Sequence, residues 1–185
     1  MLKKILLGVV VLFVLAIGGF AVVVALQPNE MRVTRSAALN APPAAVFAQV
    51  NDLQAWEAWS PWAKLDPNAK NTFEGPKAGK GAVFHWAGNQ EVGEGEMTII
   101  ESTPNELIRL RLHFIKPFED TSTVEFTFQP EGEQTRVSWS MFGPHTFMSK
   151  AMCLLMGVEK QLGASLEEGL ANIKKRVEDA KTATP

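Results

Sequence analysis

The chain of 185 residues has no tyrosine, one cysteine and three histidines. The single cysteine, Cys153, excludes an internal disulfide, a CxxC redox pair and a cysteine-based zinc cluster. His85, His113 and His145 lie too far apart in the chain for a helical metal-binding motif. A mechanism that requires a tyrosine as its acid is excluded too. We therefore expect no metal site, no cofactor and no catalytic set that the sequence can name.

The sequence also lacks an excess of positive charge. It has 18 Lys+Arg against 20 Asp+Glu, a net charge of -2. Nucleic-acid-binding domains carry a basic surface, so no nucleic-acid partner is expected. Gly93-Glu94-Gly95 lacks the third glycine and the following helix that dinucleotide binding requires, and no phosphate-binding loop is present.

Long apolar runs are confined to the N-terminus, where Ile5 to Leu26 carry no charge. A helix of this length spans about 33 Å, and the hydrocarbon core of a bilayer is about 30 Å thick. The run therefore predicts a transmembrane anchor over residues 5–26. The alternative is a cleaved signal peptide, although its apolar core is usually only about 7–15 residues long.

The charges that flank the apolar run bear on its orientation. Lys3 and Lys4 precede it, and the positive-inside rule then keeps the N-terminus in the cytoplasm. Arg32 and Arg35, which follow it closely, act against this orientation. In a bacterial cell we expect a single-pass protein of the inner membrane with its folded body in the periplasm.

The remainder of the chain predicts strands and helices of one domain. Residues 31–37 alternate as a strand does, and residues 44–53 carry a helical stripe. From Gly81 onward at least five consecutive antiparallel strands each carry one apolar face. From Thr146 to about Ala180, apolar residues recur at helical spacing, which predicts one long amphipathic helix.

Three of the five tryptophans, Trp56, Trp59 and Trp62, fall within seven residues. They favour a small satellite core that fixes a short helix and turn. Two functional alternatives stay open: they line the mouth of an apolar cavity, or they dip into the membrane interface, where tryptophan is enriched.

Several short motifs carry a resemblance to a known superfamily. They are Ala41-Pro42-Pro43-Ala44-Ala45-Val46-Phe47, Asn51-Asp52-Leu53-Gln54-Ala55-Trp56, Trp59-Ser60-Pro61-Trp62, Asp66-Pro67, Gly88-Asn89 with Val92-Gly93-Glu94-Gly95, and Glu167-Glu168-Gly169-Leu170. Together with the order of elements, they resemble the START-like helix-grip superfamily, the polyketide cyclase/dehydrase and lipid-transport group, and in particular its bacterial membrane-anchored members. The resemblance implies an α+β fold over residues 30–180, in which a curved antiparallel sheet surrounds a long C-terminal helix behind one N-terminal transmembrane helix.

A bent sheet closed by one helix commonly leaves an interior cavity, lined by inward strand residues and by the helix stripe. The residues expected to line it are Phe84, Trp86, Leu110, Leu112, Phe126, Phe128, Trp139, Met152, Leu155 and Met156. Glu159 interrupts the apolar stripe of the helix. It either projects into the cavity as a ligand for a polar group or extends to solvent.

Three functions remain open at this stage. The first is a membrane-anchored domain that binds a hydrophobic small molecule or a lipid. The second is a cyclase or hydratase acting on an aromatic or polyketide-like substrate, which would need a polar pair inside the cavity. The third is a tethered protein-interaction module, which would show a filled core and an exposed apolar patch. The superfamily is functionally broad, so fold-level analogy extends only to the apolar cavity.

Overall fold

The structure is a computed structural model and describes residues 2–182. In chain order the helices and strands are α1 (Leu2–Ala25), β1 (Glu30–Leu39), α2 (Pro43–Asn51), two 3-10 segments (Leu53–Ala58 and Pro61–Lys64), β2 (Lys70–Glu74), β3 (Val83–Ala87), β4 (Glu94–Thr103), β5 (Leu107–Lys116), β6 (Asp120–Glu131), β7 (Gln134–Pro144), α3 (Phe147–Met156) and α4 (Val158–Thr182). The strands form one seven-stranded antiparallel sheet in the order β1-β7-β6-β5-β4-β3-β2. The predicted α+β helix-grip arrangement is confirmed.

The two faces of the sheet follow the alternation in the sequence. On β5, Ile108, Leu110 and Leu112 are buried against the helical layer. Arg109 lies on the opposite face, where its guanidinium forms ion pairs with Glu101 and Glu125. These carboxylates raise the pKa of Arg109, chiefly through the hydrogen bonds that its guanidinium donates to Glu125. Arg109 is therefore held on the outer face of the sheet by these two ion pairs.

Helix α4 closes the inner face of the sheet. Leu166, Leu170, Ile173 and Val177 recur every three or four residues, and all four are buried. Because this spacing places them on one side of the helix, they form a continuous apolar contact with the sheet.

The prediction of one unbroken C-terminal helix is wrong at Gly157. This glycine adopts a left-handed conformation (φ 61°), and its N–H donates to the carbonyl of Cys153, which ends α3. This cap conformation favours glycine, because a Cβ would clash with the backbone in the left-handed region. The chain turns here, so α3 and α4 are separate helices.

The tryptophan-rich segment is part of the core, as the structural interpretation predicts. Trp56 and Trp59 are buried, and their indole N–H groups donate to the carbonyls of Val50 and Gln49, each at 2.9 Å. Trp59 also packs edge to face on Trp139 of β7, with ring centroids 5.6 Å apart. The satellite cluster therefore joins the main core and fixes the 3-10 segments over the sheet.

The N-terminal helix α1 stands apart from this core. Residues 3–25 are long and apolar enough to cross a membrane, and most of their side chains are exposed. A signal sequence near the N-terminus can meet the same criteria of length and hydropathy, so this helix is compatible with either role. Helix α1 contacts α3, and Val24, close to the C-terminal end of α1, is buried.

Candidate functional site

A cavity of about 450 Å³ lies between the inner face of the sheet, the two 3-10 segments and helices α3 and α4. This volume falls within the range of about 300–1,000 Å³ that is typical of small-molecule sites. Its position is the one predicted for a helix-grip fold, between the sheet and the C-terminal helices.

Aromatic side chains form one wall of the cavity. They are Trp56, Trp62, Phe73, Phe84, Trp86, Phe114 and Trp139. Trp86 is fixed by its indole N–H, which donates to the carbonyl of Val92 at 3.0 Å, and by edge-to-face packing on Phe114. A Cβ at Gly95 would lie 2.5 Å from the Trp86 ring. The absence of a side chain at Gly95 therefore allows the indole to lie against β4.

The opposite wall comes from the helices. Ser149 and Cys153 of α3 and Val158, Leu162 and Leu166 of α4 face the cavity. The pKa of the Cys153 thiol is raised, chiefly by burial and further by the charges of Asp120 and Glu159. The thiol is therefore neutral at neutral pH, when it acts as a small apolar group of the wall rather than as a nucleophile.

A few polar groups interrupt the apolar lining. Ser122 is buried. The Nε2 atom of His145 and the indole nitrogen of Trp139 are buried and have no hydrogen-bond partner within residues 2–182. The more exposed lining carboxylates include Asp66 and Asp120. Asp66 already accepts hydrogen bonds from the backbone N–H groups of Asn68 and Asn89, so it serves the local turns. The site therefore combines a large apolar surface with a small number of free polar atoms.

Four of the residues predicted from the sequence line this cavity: Phe84, Trp86, Leu112 and Trp139. Leu110, Phe126 and Phe128 are on the predicted face of the sheet but do not line it. They are covered by other side chains: Phe128 packs on Phe47 of α2, and Phe126 packs on Trp139 with ring centroids 4.7 Å apart. These three side chains form solid core beside the cavity.

The predicted helical lining is displaced by the break at Gly157. Met152, Leu155 and Met156 are on the outer side of α3, and Glu159 is exposed in the first turn of α4. A continuous helix would have kept them in one stripe with Leu162. Because α3 turns away, its cavity side is the one that carries Ser149 and Cys153.

Sequence reasoning did not assign Phe114, Leu162, Ser122 or His145 to the cavity. Phe114 shares a face with Leu112, and Leu162 belongs to the apolar stripe, so the signals for these two were present. No pattern in the sequence marked Ser122 or His145. Within residues 2–182, no group of three His, Cys, Asp or Glu side chains is arranged to hold a metal ion.

Comparison with known proteins is decisive for the family. Residues 30–178 match the family model described as polyketide cyclase / dehydrase and lipid transport. The chain belongs to this family. The match covers the sheet and both C-terminal helices, and it begins after α1. No curated protein matches the chain.

Solved structures share the fold of this polyketide cyclase/dehydrase and lipid-transport domain at low sequence identity. Protein CV1439 from Chromobacterium violaceum is 19% identical, with a TM-score of 0.55, over 82% of this chain and 99% of its own. MLL2253 from Mesorhizobium loti is 13% identical, with a TM-score of 0.60, over 80% and 98%. DynU16, from the dynemicin biosynthetic locus, is 16% identical, with a TM-score of 0.56, over 82% and 48%. At these identities the likeness establishes the fold alone.

Proposed function

We propose that this protein is a membrane-anchored domain that binds one hydrophobic or amphipathic small molecule, such as a lipid, in the cavity between its sheet and C-terminal helices. The observation that carries the proposal is the aromatic lining of a cavity of about 450 Å³. Membership of a family described by polyketide cyclases and lipid transport supports it.

The energetics of such a site come mainly from apolar burial. Removing about 200 Å² of apolar ligand surface from water contributes ~5 kcal/mol at roughly 25 cal/mol per Å², before the costs of association. Few directional contacts are available, since the cavity offers mainly Ser122, His145 and the Trp139 indole nitrogen as polar partners in its buried part. Affinity should therefore rise with the length of an acyl chain and tolerate changes in its headgroup.

The proposal includes an uncleaved anchor over residues 5–26 and a domain over residues 30–180. Lys3 and Lys4 keep the N-terminus in the cytoplasm, which places the domain on the other side of the membrane, the periplasmic side in a bacterium. A reporter enzyme that works only in the periplasm, fused after Pro185, should be active. Activity only from a cytoplasmic reporter would contradict this orientation, and a mature N-terminus near Leu26 would contradict the anchor.

Binding is tested with the full chain in lipid nanodiscs and an apolar dye that becomes fluorescent away from water. We expect a saturable signal above empty nanodiscs, and fatty acids should displace the dye. Leu162→Phe enlarges a cavity wall and should weaken dye binding. Leu155→Phe, on the outer side of α3, is the matched control and should bind as the parent does. Equal binding by both variants, or no saturable signal, would contradict the proposal.

One observation favours an enzyme as the second candidate. The Nε2 atom of His145 is buried beside the cavity without a hydrogen-bond partner among the described residues, and Ser122 is buried in the same lining. A histidine of this kind can exchange a proton with a bound substrate. If His145→Gln abolishes turnover of an aromatic polyketide-like substrate but leaves dye binding intact, the enzyme becomes the better account.

A further inference from the structure

Helix α3 presents an apolar outer face. Within its ten residues, the large apolar side chains exposed at the surface are Phe147, Met148, Met152, Leu154, Leu155 and Met156. Leu155 is 71% exposed and Met148 is 69% exposed. The only charged residue of the helix is Lys150, and it is buried. The outer face of α3 therefore carries no charge, which is unusual for a helix in contact with water.

The same helix is joined to the segment that leaves the anchor. The ammonium group of Lys150 donates to the side-chain oxygen of Asn29 at 2.7 Å, and the backbone N–H of His145 donates to the Asn29 carbonyl at 2.8 Å. Asn29 follows α1 closely in the chain, and α1 itself contacts α3. Where α1 enters a membrane, α3 is held beside the entry point.

Another exposed apolar residue, Phe118, lies at this end of the molecule. Strand β1 begins at Glu30, which pairs with Pro144 at the end of β7, and the neighbouring β6 begins at Asp120. The turn between β5 and β6 is therefore at the same end of the sheet as the anchor, and its Phe118 is 75% exposed. Asp120 and Pro144 also line the cavity, so the cavity reaches this end.

We propose that the outer face of α3 and Phe118 are inserted into the lipid leaflet from which α1 emerges, so that this end of the cavity faces the bilayer. This inference rests on the proposed function, because it requires α1 to be the membrane anchor. A ten-residue helix is about 15 Å long, half the thickness of the hydrocarbon core, so α3 lies in the interface and does not span it. A ligand would then pass between lipid and cavity without crossing water.

The occupant of this surface is a lipid bilayer because the surface is continuous with α1, which is itself apolar and exposed. The charged side chains at this end indicate whether the membrane contact is apolar or electrostatic. Glu91, Glu119 and Asp120 lie at or near this end, and Lys116 pairs with Glu94 at 2.7 Å. Among residues 2–182, no cluster of unpaired cations lies at this end, so insertion depends on apolar burial rather than on attraction to anionic headgroups.

The test uses the full chain in nanodiscs, with fluorescent probes on single cysteines in a Cys153→Ser background. The probe positions are Leu155→Cys, Met148→Cys, Met152→Cys and Phe118→Cys. Ile100→Cys is the matched control, since Ile100 is 40% exposed and Met152 is 41% exposed. Ile100 lies towards the opposite end of β4, away from the anchor. The three positions on α3 guard against the loss of any one variant that fails to fold, and the melting curve of each variant identifies such a failure.

We expect lipids brominated in their acyl chains to quench the probes on α3 and at residue 118, and aqueous iodide to quench the probe at residue 100. The quenching by brominated lipid should be unchanged by salt or by the fraction of anionic lipid. Probes on α3 that are quenched by iodide and not by brominated lipid would overturn the inference. Disulfide-linked dimers through residue 155 would overturn it as well, because they would make this face an interface between two copies.

A carbonate wash of native membranes separates this inference from the proposed anchor. If the wash extracts the full chain, the anchor is refuted, and the inference with it. If the chain stays in the membrane while its α3 probes remain in water, only the inference is overturned, and the proposed function stands.

Discussion

Two glycines in α4 make different contacts, and alanine substitution at each should separate their roles. A Cβ at Gly169 would lie 2.5 Å from the Cζ3 atom of Trp139 and 3.3 Å from Pro61. Trp139 is 2% exposed and its ring packs against Phe126 and three tryptophans, so moving it aside would break several aromatic contacts. A Cβ at Gly163 would instead meet the guanidinium of Arg35, the far end of a flexible side chain.

These contacts set the expected magnitudes. Alanine gains about 1 kcal/mol over glycine within a helix. Overpacking of a rigid core costs about 1–3 kcal/mol, and 2.5 Å is far inside ordinary carbon–carbon contact, so we take the upper end of this range. Gly169→Ala should therefore lower the free energy of unfolding by about 2 kcal/mol. Gly163→Ala displaces Arg35 from Glu167, an exposed ion pair worth about 0–1 kcal/mol, so it should be nearly neutral.

Thermal or denaturant unfolding of the full chain, followed by tryptophan fluorescence, measures the difference. For a domain of this size, 2 kcal/mol corresponds to a fall in Tm of about 4–8 °C. The matched variant Gly163→Ala shares the change in helix propensity and lacks the contact with Trp139. If Gly169→Ala is as stable as Gly163→Ala, α4 does not press on Trp139, and the described packing of helix on sheet is wrong.

Further predictions concern the core and the thiol. Leu166 is buried in α4, so Leu166→Asp should cost several kcal/mol and Leu166→Ala about 2–5 kcal/mol in unfolding experiments. A Leu166→Asp variant that melts like the parent would show that the stripe is not buried. Because burial raises the pKa of Cys153, its alkylation at neutral pH should be slower than in urea and should accelerate as pH rises above the ordinary thiol pKa. A fatty acid in the cavity should slow it further, and an unchanged rate would place the ligand elsewhere.

The sheet was predictable because the period of two in each strand determines which side chains share a face. Leu112 and Trp139 were assigned correctly to the inner face on this basis, as were Leu110 and Phe128. Whether an inner residue lines the cavity or fills solid core depends on what packs above it. Phe128 is covered by Phe47 of α2, a contact between distant segments that periodicity does not report.

The break between α3 and α4 is a feature of the C-terminal helices that the sequence pattern could not predict. Gly157, Gly163 and Gly169 look alike in the sequence, and an isolated glycine is tolerated within a helix at about 1 kcal/mol. Gly169 stays helical where Trp139 packs against it, whereas a Cβ at Gly157 would meet nothing within 4 Å. Gly157 adopts the left-handed cap instead. The three glycines differ in what surrounds them in the fold, which the sequence pattern does not report, and the break at Gly157 leaves Leu155 and Met156 exposed.

The most direct test of the central claim is tryptophan quenching by a brominated fatty acid bound in the cavity. Four of the five tryptophans, Trp56, Trp62, Trp86 and Trp139, line it. In nanodiscs of the full chain we predict that quenching saturates and that an unbrominated fatty acid of the same length reverses it. Quenching that grows only in proportion to the fatty acid in the bilayer, without saturation or competition, would contradict an apolar binding site in this cavity.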